Sequence, residues 1–256
     1  MSSPGVSVLL CSNKADDYMR LAVESILNQQ YPDFELLIVA NGAQAMDIVA
    51  RYSGIDPRVT VLTTAFKGLT TNLNVGLHHC RHELIARMDA DDIAAPHRLQ
   101  RQVQRFETNP ALVVCGSSYE SISTEGVGLG KVTPPLSNKA IRSALRFRNP
   151  ICHPSVMFRR EAVMKVGGYL TGLHAEDYDL WVRMAADPSN VFENMDEALL
   201  QYRCWRTASR GTAAAYGTAM TSCTVAFLQG QGFMYLFGAL AFLGRFLKAK
   251  FVTRRP

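Results

Sequence analysis

The chain has 256 residues, a length that fits one large α/β domain or one domain with an appendage. Hydrophobic residues make up 48% of the chain and charged residues 19%, a composition that excludes an intrinsically disordered protein. The formal net charge of +5 is mild, and we expect no nucleic-acid partner. Five basic residues close to the C-terminus are enough to account for that charge: Arg245, Lys248, Lys250, Arg254 and Arg255.

The cysteines and the N-terminus indicate where the protein works. The six cysteines are scattered through apolar runs, and their spacing is not that of a zinc or redox motif. We therefore expect a reduced, cytoplasmic setting. The N-terminus has neither a basic start nor a long apolar region, so no secretory signal is predicted.

The first part of the chain alternates between short apolar runs and segments of helical periodicity. Strands are predicted over Val6–Leu10, Phe34–Ala40, Val59–Thr63 and Leu84–Met88, and helices over Tyr18–Gln30, Met46–Tyr52 and Leu69–His79. This alternation predicts an α/β fold with a mostly parallel central sheet flanked by helices. Ligands of such sheets gather beyond the carboxyl ends of the strands. The loops Cys11–Asp17, Ala40–Ala43 and Asp89–Asp92 are therefore expected to form one shared site.

The second part of the chain is less regular. Helices are predicted over Pro96–Glu107, Asn138–Phe147 and Glu176–Ala186, and strands over Leu112–Gly116, Ser155–Phe158 and Leu199–Arg203. The segment Ser117–Pro135 is rich in Gly, Ser, Thr and Pro, which favours a hairpin or an excursion. We predict a catalytic domain over residues 1–210 and a helical, apolar and basic C-terminal extension over residues 211–256.

The C-terminal extension has two interpretations. Phe233–Leu243 is almost wholly apolar, and Arg245 ends it well short of the ~20 residues that a membrane-spanning helix needs. A basic, aromatic segment of this kind suits a membrane surface, which predicts a protein peripheral to the inner face of the cell membrane. The alternative is a helical hairpin packed on the core or on another subunit; the sequence does not determine the oligomeric state.

Three aspartates, Asp89, Asp91 and Asp92, directly follow a predicted buried strand. Carboxylates at positions i and i+2 of an extended turn can point the same way and hold a hard cation such as Mg²⁺ or Mn²⁺. Such a cation would neutralise the phosphates of a nucleotide donor. An acidic turn that caps the next helix is the alternative, but three unpaired acids at a strand end repel one another.

A second acidic group, Glu176 and Asp177, opens the helix predicted after the Gly167–Gly168 break. Acids in a first helical turn are favoured by the helix dipole, so helix capping is one interpretation. The other is a general base, since a carboxylate within hydrogen-bond reach can take the proton of an attacking sugar hydroxyl.

These segments carry a resemblance to a known family. They are Val6–Leu10 with Tyr18–Tyr31, Phe34–Val39, Asn72–Leu77, Ile85–Ile93 with Pro96 and Arg98–Leu99, His153–Arg160, Gly167–Tyr169, Ala175–Trp181, and Tyr202–Arg203 with Ser209. In this order and combination they resemble family 2 of the glycosyltransferases, inverting enzymes with the GT-A fold. The resemblance runs from about Val6 to Ser209.

The resemblance implies a metal-assisted, in-line displacement of a nucleotide diphosphate by a sugar hydroxyl. It implies Asp91 as the principal metal ligand, Asp89 as a ligand of the metal or the donor ribose, and Asp177 as the base with Glu176 beside it. The donor would also meet a set of side chains around the three loops: Cys11, Asn13, Asn41, Arg87 and Arg203. The acceptor, a saccharide or a lipid-linked saccharide, would meet His153 and Trp181; the alternative for His153, which precedes Pro154, is to satisfy a turn.

The chain departs from the family pattern at the nucleotide end of the site. It has Cys11-Ser12-Asn13-Lys14 in place of a Pro-x-Tyr-Asn turn, and Ala40-Asn41-Gly42-Ala43 in place of Asp-Asp-Gly-Ser. Asn41 can donate and accept hydrogen bonds but brings no charge, and a UDP-sugar is the expected donor. Trp205 stands where the family often has a histidine, which leaves phosphate contact to Arg203 or Arg206.

Two other classes of protein are alternatives. A nucleotidyltransferase that makes nucleotide sugars also joins an α/β sheet to a metal, but it usually has a glycine-rich loop after the first strand. The segment Cys11–Asp17 contains no glycine. A non-catalytic sugar-binding relative of the fold is expected to lose the acids, and this chain keeps Asp89, Asp91, Asp92 and Asp177.

Overall fold

A computed structural model describes residues 4–170, 174–205 and 212–251. Its strands are β1 Val6–Ser12, β2 Phe34–Asn41, β3 Val59–Thr64, β4 Leu84–Asp89, β5 Ile93–Ala94, β6 Leu112–Ile122, β7 Gly128–Val132, β8 Met157–Arg159 and β9 Val191–Arg203. Its α-helices are α1 Asp17–Leu27, α2 Ala45–Tyr52, α3 Leu69–His79, α4 Arg98–Thr108, α5 Asn138–Ala144, α6 Arg160–Lys165, α7 Glu176–Met184, α8 Ala213–Leu228 and α9 Met234–Phe251.

The strands form one mixed sheet. Its main order is β3-β2-β1-β4-β8-β6-β9-β5, with β7 paired to the outer part of β6. The predicted parallel pairing holds for β3-β2-β1-β4 and for β6 with β9, whereas β8 runs antiparallel to β4 and to β6. The carboxyl ends of β1, β2 and β4 therefore share one edge, as the alternation of elements predicts.

Both faces of the sheet are covered by helices. Leu9 of β1 and Leu37 of β2 lie in one apolar cluster, and the alternate residues Val8 and Leu36 lie in the other. This is the period of two that a strand buried on both faces requires. The first cluster includes α3 and the C-terminal helices, and the second includes α1, α2 and α4. The fold is therefore α/β, as predicted.

Several predicted boundaries differ from the structure. The last strand begins at Val191 rather than Leu199, because it pairs with β6 along most of that strand. Helix α4 begins at Arg98, and Pro96 lies before it, where its carbonyl accepts a hydrogen bond from Gln30 N at 2.8 Å. Residues His153–Ser155 form a 3₁₀ turn instead of entering strand β8.

Helices α8 and α9 pack against α7 rather than standing apart. Tyr178 Oη donates to Leu145 O at 2.5 Å and lies 3.0 Å from Cys223 Sγ of α8, while Ser222 Oγ donates to Asp179 Oδ1 at 2.8 Å. Ring centroids of Tyr178 and Phe242 of α9 are 5.5 Å apart. The inner face of the predicted C-terminal extension is thus part of the same core as the helix that carries Asp177.

The outer face of α8 and α9 is apolar and exposed. Its large exposed side chains are Val225, Leu228, Phe233, Met234, Phe237, Leu240, Leu243, Leu247 and Phe251. Across the described ranges, no helix has the length and apolar character needed to traverse a lipid bilayer. Arg254 and Arg255 of the predicted basic tail lie outside the described residues.

Candidate active site

The three aspartates lie together at the carboxyl end of β4. Asp89 is the last residue of the strand, and Asp91 and Asp92 occupy the turn to β5. One carboxylate oxygen from each lies within 4.8 Å of the others. Asp92 is buried, whereas Asp89 and Asp91 are half-buried. The predicted cluster is therefore compact enough for its oxygens to contact a single small ion.

The electrostatics of this cluster favour a cation. Burial and the neighbouring Asp89 raise the pKa of Asp91, and the same two causes raise the pKa of Asp92 well above its ordinary value. Asp92 Oδ2 is buried without a hydrogen-bond partner. Hard divalent cations prefer carboxylate oxygens and would relieve both the repulsion and the missing contact. The side chains present thus fit a Mg²⁺ or Mn²⁺ ion.

Arg203, at the end of β9, holds the β4–β5 turn that carries Asp91 and Asp92. Its backbone N donates to Asp92 Oδ1 at 2.8 Å, and its Nε donates to Asp91 O at 2.9 Å. Its Nη1 donates to the carbonyls of Ser123 and Thr124 at 2.9 and 2.8 Å. The side chain is buried and faces these carbonyls, so the structure assigns it to holding the turn. Contact of Arg203 with donor phosphate stays a prediction; Arg206 and Ser209 lie outside the described residues.

Trp205 is a member of the site that the sequence marked only as a departure from the family. Its Nε1 donates to Asp91 Oδ2 at 2.6 Å. Its ring meets Tyr18 of α1 edge to face, with centroids 5.2 Å apart. The indole thus orients the carboxylate predicted as the principal metal ligand.

Arg87 lies on the floor of the site. Its Nη2 is 2.5 Å from Asp89 Oδ1, and only 3% of its side chain is exposed. Burial works against its charged form, but Asp89 more than compensates and raises the pKa of the guanidinium. Its Nε and Nη1 are buried without hydrogen-bond partners. Two nitrogens of a buried cation without hydrogen-bond acceptors are costly unless a ligand accepts from them.

Asp177 lies in the first turn of α7. Its Oδ1 accepts from Tyr178 N at 2.8 Å, and its Oδ2 accepts from Asn149 Nδ2 at 2.6 Å. Burial and the adjacent Glu176 raise its pKa to about 6, against the effect of these two hydrogen bonds. A carboxylate with a pKa close to neutral is suited to accept a proton and to release it again.

The backbone just before this helix is strained. Ala175 has φ +60° and is the only non-glycine residue with positive φ in the described part of the chain. An L-residue pays roughly 1–2 kcal/mol in this left-handed region. Strain of this kind is retained where the surrounding structure requires it, often at functional sites. Here it sets the direction in which Glu176 and Asp177 leave the turn.

His153 lies between the acidic helix and the core. Its Nε2 is 2.8 Å from Tyr169 Oη, and its Nδ1 is 4.0 Å from Glu176 Oε1. Burial, with help from Arg87, lowers the pKa of His153 well below its ordinary value, so the ring is neutral. Trp181 packs behind it, with ring centroids 6.2 Å apart and no exposed surface. The indole lies in the core and supports His153, and acceptor contact by Trp181 stays a prediction.

Two clefts meet at Asp89. One, of about 580 Å³, contains the predicted Cys11, Asn13 and Asn41. The other, of about 750 Å³, contains Arg87, His153, Glu176 and Asp177. Leu69, Asp89 and Trp205 line both clefts.

The clefts also contain residues that the sequence did not single out. In the smaller cleft they are Lys14, Asp16 and Tyr18; in the larger they include Arg148, Asn149, Tyr216, Phe242 and Arg245. Lys14 and Asp16 were within a loop already predicted for the site. No local sequence pattern predicts the cleft wall formed by α8 and α9, because that wall depends on how these helices pack against the domain.

A third groove, of about 870 Å³, lies between α4 and β9 and shares no lining residue with the two clefts. Its charged side chains pair with one another. Arg101 Nε is 2.8 Å from Glu197 Oε2, and Arg105 Nη2 is 2.6 Å from Glu193 Oε1. We therefore place the chemistry in the two clefts that meet at Asp89.

Comparison with known proteins identifies the class. Residues 7–167 match the sequence family described as glycosyl transferase family 2. The chain is 35% identical over 215 residues to the O-antigen biosynthesis glycosyltransferase WbnJ of Escherichia coli, covering 82% of this chain and 84% of that one. It is 32% identical over 201 residues to the amylovoran biosynthesis glycosyltransferase AmsE of Erwinia amylovora, covering 77% and 75%.

Solved structures give the same answer for the fold. The crystal structure of S. aureus TarS 1-349 in complex with UDP-GlcNAc matches with a TM-score of 0.68 at 15% identity, covering 96% of this chain and 81% of that one. The fold is GT-A. The chain belongs to glycosyl transferase family 2 and is a glycosyltransferase. This membership argues against the nucleotidyltransferase and the non-catalytic relative.

Proposed function

We propose that this enzyme transfers a sugar from a nucleotide-diphosphate sugar to a saccharide acceptor with inversion at the anomeric carbon. The observation that carries the proposal is the meeting of two clefts at Asp89, with Asp177 in only one of them. A donor in the smaller cleft would present its anomeric carbon near Asp89. An acceptor in the larger cleft would have its hydroxyl near Asp177, on the other side of that carbon.

A uridine nucleotide is the donor that we favour. The smaller cleft has neutral and polar lining residues, including Asn13 and Asn41, which can hydrogen-bond a base. Its thiol, Cys11, is kept protonated because burial raises its pKa to about 12. Two related proteins are described with uridine donors: TarS in complex with UDP-GlcNAc, and an Escherichia coli galactosyltransferase named for UDP-Gal.

The three aspartates of the β4–β5 turn would hold a divalent cation. Asp91 and Asp89 are the ligands that we propose, and Asp92, with its unpartnered Oδ2, lies beside them. When bound, the ion supplies Lewis-acid neutralisation of the leaving diphosphate. Arg203 and Trp205 hold the carboxylates in place before any ligand arrives. This preorganisation avoids moving charged groups during the reaction.

The remaining steps use the chain's own side chains. The attacking hydroxyl donates its proton to Asp177 as the bond to the anomeric carbon forms and the bond to the diphosphate breaks. Attack from the face opposite the leaving group inverts that carbon. Arg87 lines the larger cleft beside Asp89 and has two nitrogens without hydrogen-bond partners, toward which oxygens of the donor sugar or its phosphate would lie. Glu176 and the neutral His153 flank the base and provide hydrogen-bonding groups for sugar hydroxyls.

We further propose that the acceptor is lipid-linked and that the enzyme works at the inner membrane face. The relatives are named for O-antigen and amylovoran biosynthesis, and one is named for a diphosphoundecaprenol acceptor. The exposed apolar face of α8 and α9 is followed by Lys248 and Lys250. Apolar area next to basic side chains favours anionic lipid surfaces.

The membrane proposal is tested with point substitutions, because removing α8 and α9 would uncover the core around Tyr178. Phe237→Ser with Leu240→Ser removes two large side chains from the outer face. We expect much weaker sedimentation with vesicles containing phosphatidylglycerol. The matched control is Met46→Ser with Ile55→Ser. Both residues are exposed and apolar, and both are far in sequence from α8 and α9. Equal sedimentation of both double variants would contradict the proposal.

The catalytic proposal is tested with Asp177→Asn. We expect UDP and Mg²⁺ to protect the variant against heat as well as the parent, because the donor cleft is unchanged. Sugar transfer should fall by a factor of at least about 10². Asp47→Asn, an exposed acid of α2, is the control and should keep full activity. Transfer at the parental rate, or a product that retains the donor's anomeric configuration, would refute the mechanism.

A further inference from the structure

The larger cleft carries two arginines that the proposed reaction does not use. Arg148 follows α5, and Arg245 lies on α9; both are exposed and both line the cleft. Neither has a carboxylate within ion-pairing distance among the residues that the structure describes. Two unpaired guanidinium groups at one end of a binding cleft indicate an anionic ligand.

Packing fixes these arginines on one rim. Arg245 Nη1 donates to Phe147 O at 2.6 Å, and its guanidinium lies 5.1 Å above the ring centre of Phe242. Helix α9 approaches this loop very closely at Gly238, where an added Cβ would lie 1.9 Å from Arg146 O. Arg245 therefore contacts the residue that precedes Arg148, and both arginines line the same cleft.

The same loop leads directly to the proposed base. Arg148 precedes Asn149, whose Nδ2 donates to Asp177 Oδ2 at 2.6 Å. A group bound by the two arginines would thus lie close to Asp177, the carboxylate proposed to accept the proton of the attacking hydroxyl. This spacing suits an anion attached close to the reacting sugar.

The wall next to the arginines is aromatic. Tyr216 of α8 and Phe242 of α9 line the cleft beside Arg245. The exposed side chains of Leu243 and Leu247 lie on the other side of α9, because residues two positions apart on a helix point in nearly opposite directions. An apolar chain that leaves the cleft past Arg245 would therefore first meet the aromatic wall.

We infer that Arg148 and Arg245 bind the diphosphate of an acceptor whose sugar is joined through that diphosphate to a long apolar chain. The sugar lies toward Asp177, the diphosphate on the two guanidinium groups, and the chain along α8 and α9. This inference rests on the proposed function, because it assigns the end of the acceptor opposite the reacting hydroxyl.

The test uses farnesyl diphosphate as the probe, with UDP and Mg²⁺ kept saturating so that the donor cleft is filled. Inorganic pyrophosphate reports the headgroup alone, and farnesol reports the chain alone. The variant is Arg148→Gln with Arg245→Gln. The matched control, Arg51→Gln with Lys139→Gln, removes two exposed positive charges that line neither cleft. Binding is measured by calorimetry on the full chain.

We expect farnesyl diphosphate to bind the parent and the control alike and to bind the double variant more than about tenfold more weakly. Pyrophosphate should show the same ratio at lower affinity, and farnesol should not distinguish the proteins. Equal binding of farnesyl diphosphate by parent and double variant would overturn the inference while leaving the donor assignment intact. Displacement of UDP by farnesyl diphosphate would also overturn it, because the probe would then occupy the donor cleft. Failure of the parent to bind UDP with Mg²⁺ would instead contradict the proposed function on which the inference rests.

Discussion

Replacing Asp177 by asparagine should stabilise the fold at neutral and alkaline pH even though it removes the proposed base. The pKa of Asp177 is raised from 3.8 to about 6, first by burial and then by Glu176. The folded protein therefore holds this proton more tightly than the unfolded chain does. The stability that the protonated carboxyl contributes is fully present below pH 3.8 and is lost as the pH rises through about 6.

The size of the effect follows from these two pKa values. At about 1.36 kcal/mol for each pH unit, ionised Asp177 lowers the free energy of unfolding by about 3 kcal/mol above pH 6. Asparagine carries no charge and keeps an oxygen that can accept from Tyr178 N. The new side chain presents an NH₂ group where Asp177 Oδ2 accepts from Asn149. The Asn149 amide must therefore rotate to restore a hydrogen bond, which lowers the free energy of unfolding by about 1 kcal/mol. We therefore expect a net gain of about 2 kcal/mol at pH 8.

The assay is urea unfolding of the parent, Asp177→Asn and the exposed control Asp47→Asn at pH 8 and at pH 3.5. A gain of about 2 kcal/mol should appear at pH 8, and at pH 3.5, where the carboxyl is mostly protonated in both the folded and the unfolded state, only the loss of about 1 kcal/mol should remain. The control should match the parent at both values. A variant that is no more stable than the parent at pH 8 would show that the folded structure does not penalise the Asp177 carboxylate, and would remove the physical basis for its role as a tuned base.

Three further outcomes are expected. Glu176→Gln should move the acidic limb of the kcat/KM profile from about pH 6 to lower pH, because the Glu176 charge raises the pKa of Asp177; an unmoved limb would contradict that coupling. Mn²⁺ should quench the tryptophan fluorescence of the parent and quench Trp205→Phe much less, because Trp205 donates to Asp91; equal quenching would contradict metal binding at Asp91. Ala175→Gly should raise the free energy of unfolding by about 0.5–1 kcal/mol in thermal or urea melts, because glycine relieves the positive φ; a loss of stability would show that the turn is not strained.

The parts of the site that the sequence predicts are those carried by contiguous residues at strand ends. Asp89, Asp91 and Asp92 follow one strand, and the order of strands and helices predicts that the loops after β1 and β2 reach the same edge. Cys11, Asn13 and Asn41 indeed line one cleft with Asp89 and Asp91. Hydrophobic periodicity carries this information because a parallel βαβ arrangement leaves few topologies open.

The parts that the sequence does not predict depend on pairing across long stretches of chain. Arg203 reaches the acidic turn because β9 pairs with β5 more than one hundred residues away along the chain. Trp181 belongs to a motif that opens a helix, yet it lies in the core against His153, which is 28 residues earlier in the chain. Local patterns give the residue types of a site but not the direction of each side chain.

The close packing of α7 with the C-terminal helices has a consequence for how acceptor specificity can be exchanged between relatives. The family match ends at residue 167, just before Asp177, the acceptor wall and the apolar face. A chimera joined at the Gly167–Gly168 turn would therefore transplant the proposed base, the wall of the larger cleft and the exposed apolar face as one block. The block also has to supply the two contacts that reach back to the acidic turn, from Arg203 to Asp92 and from Trp205 to Asp91. Grafts that lack these contacts should fail at the proposed donor end, although the exchanged segment lies after the three aspartates in the chain.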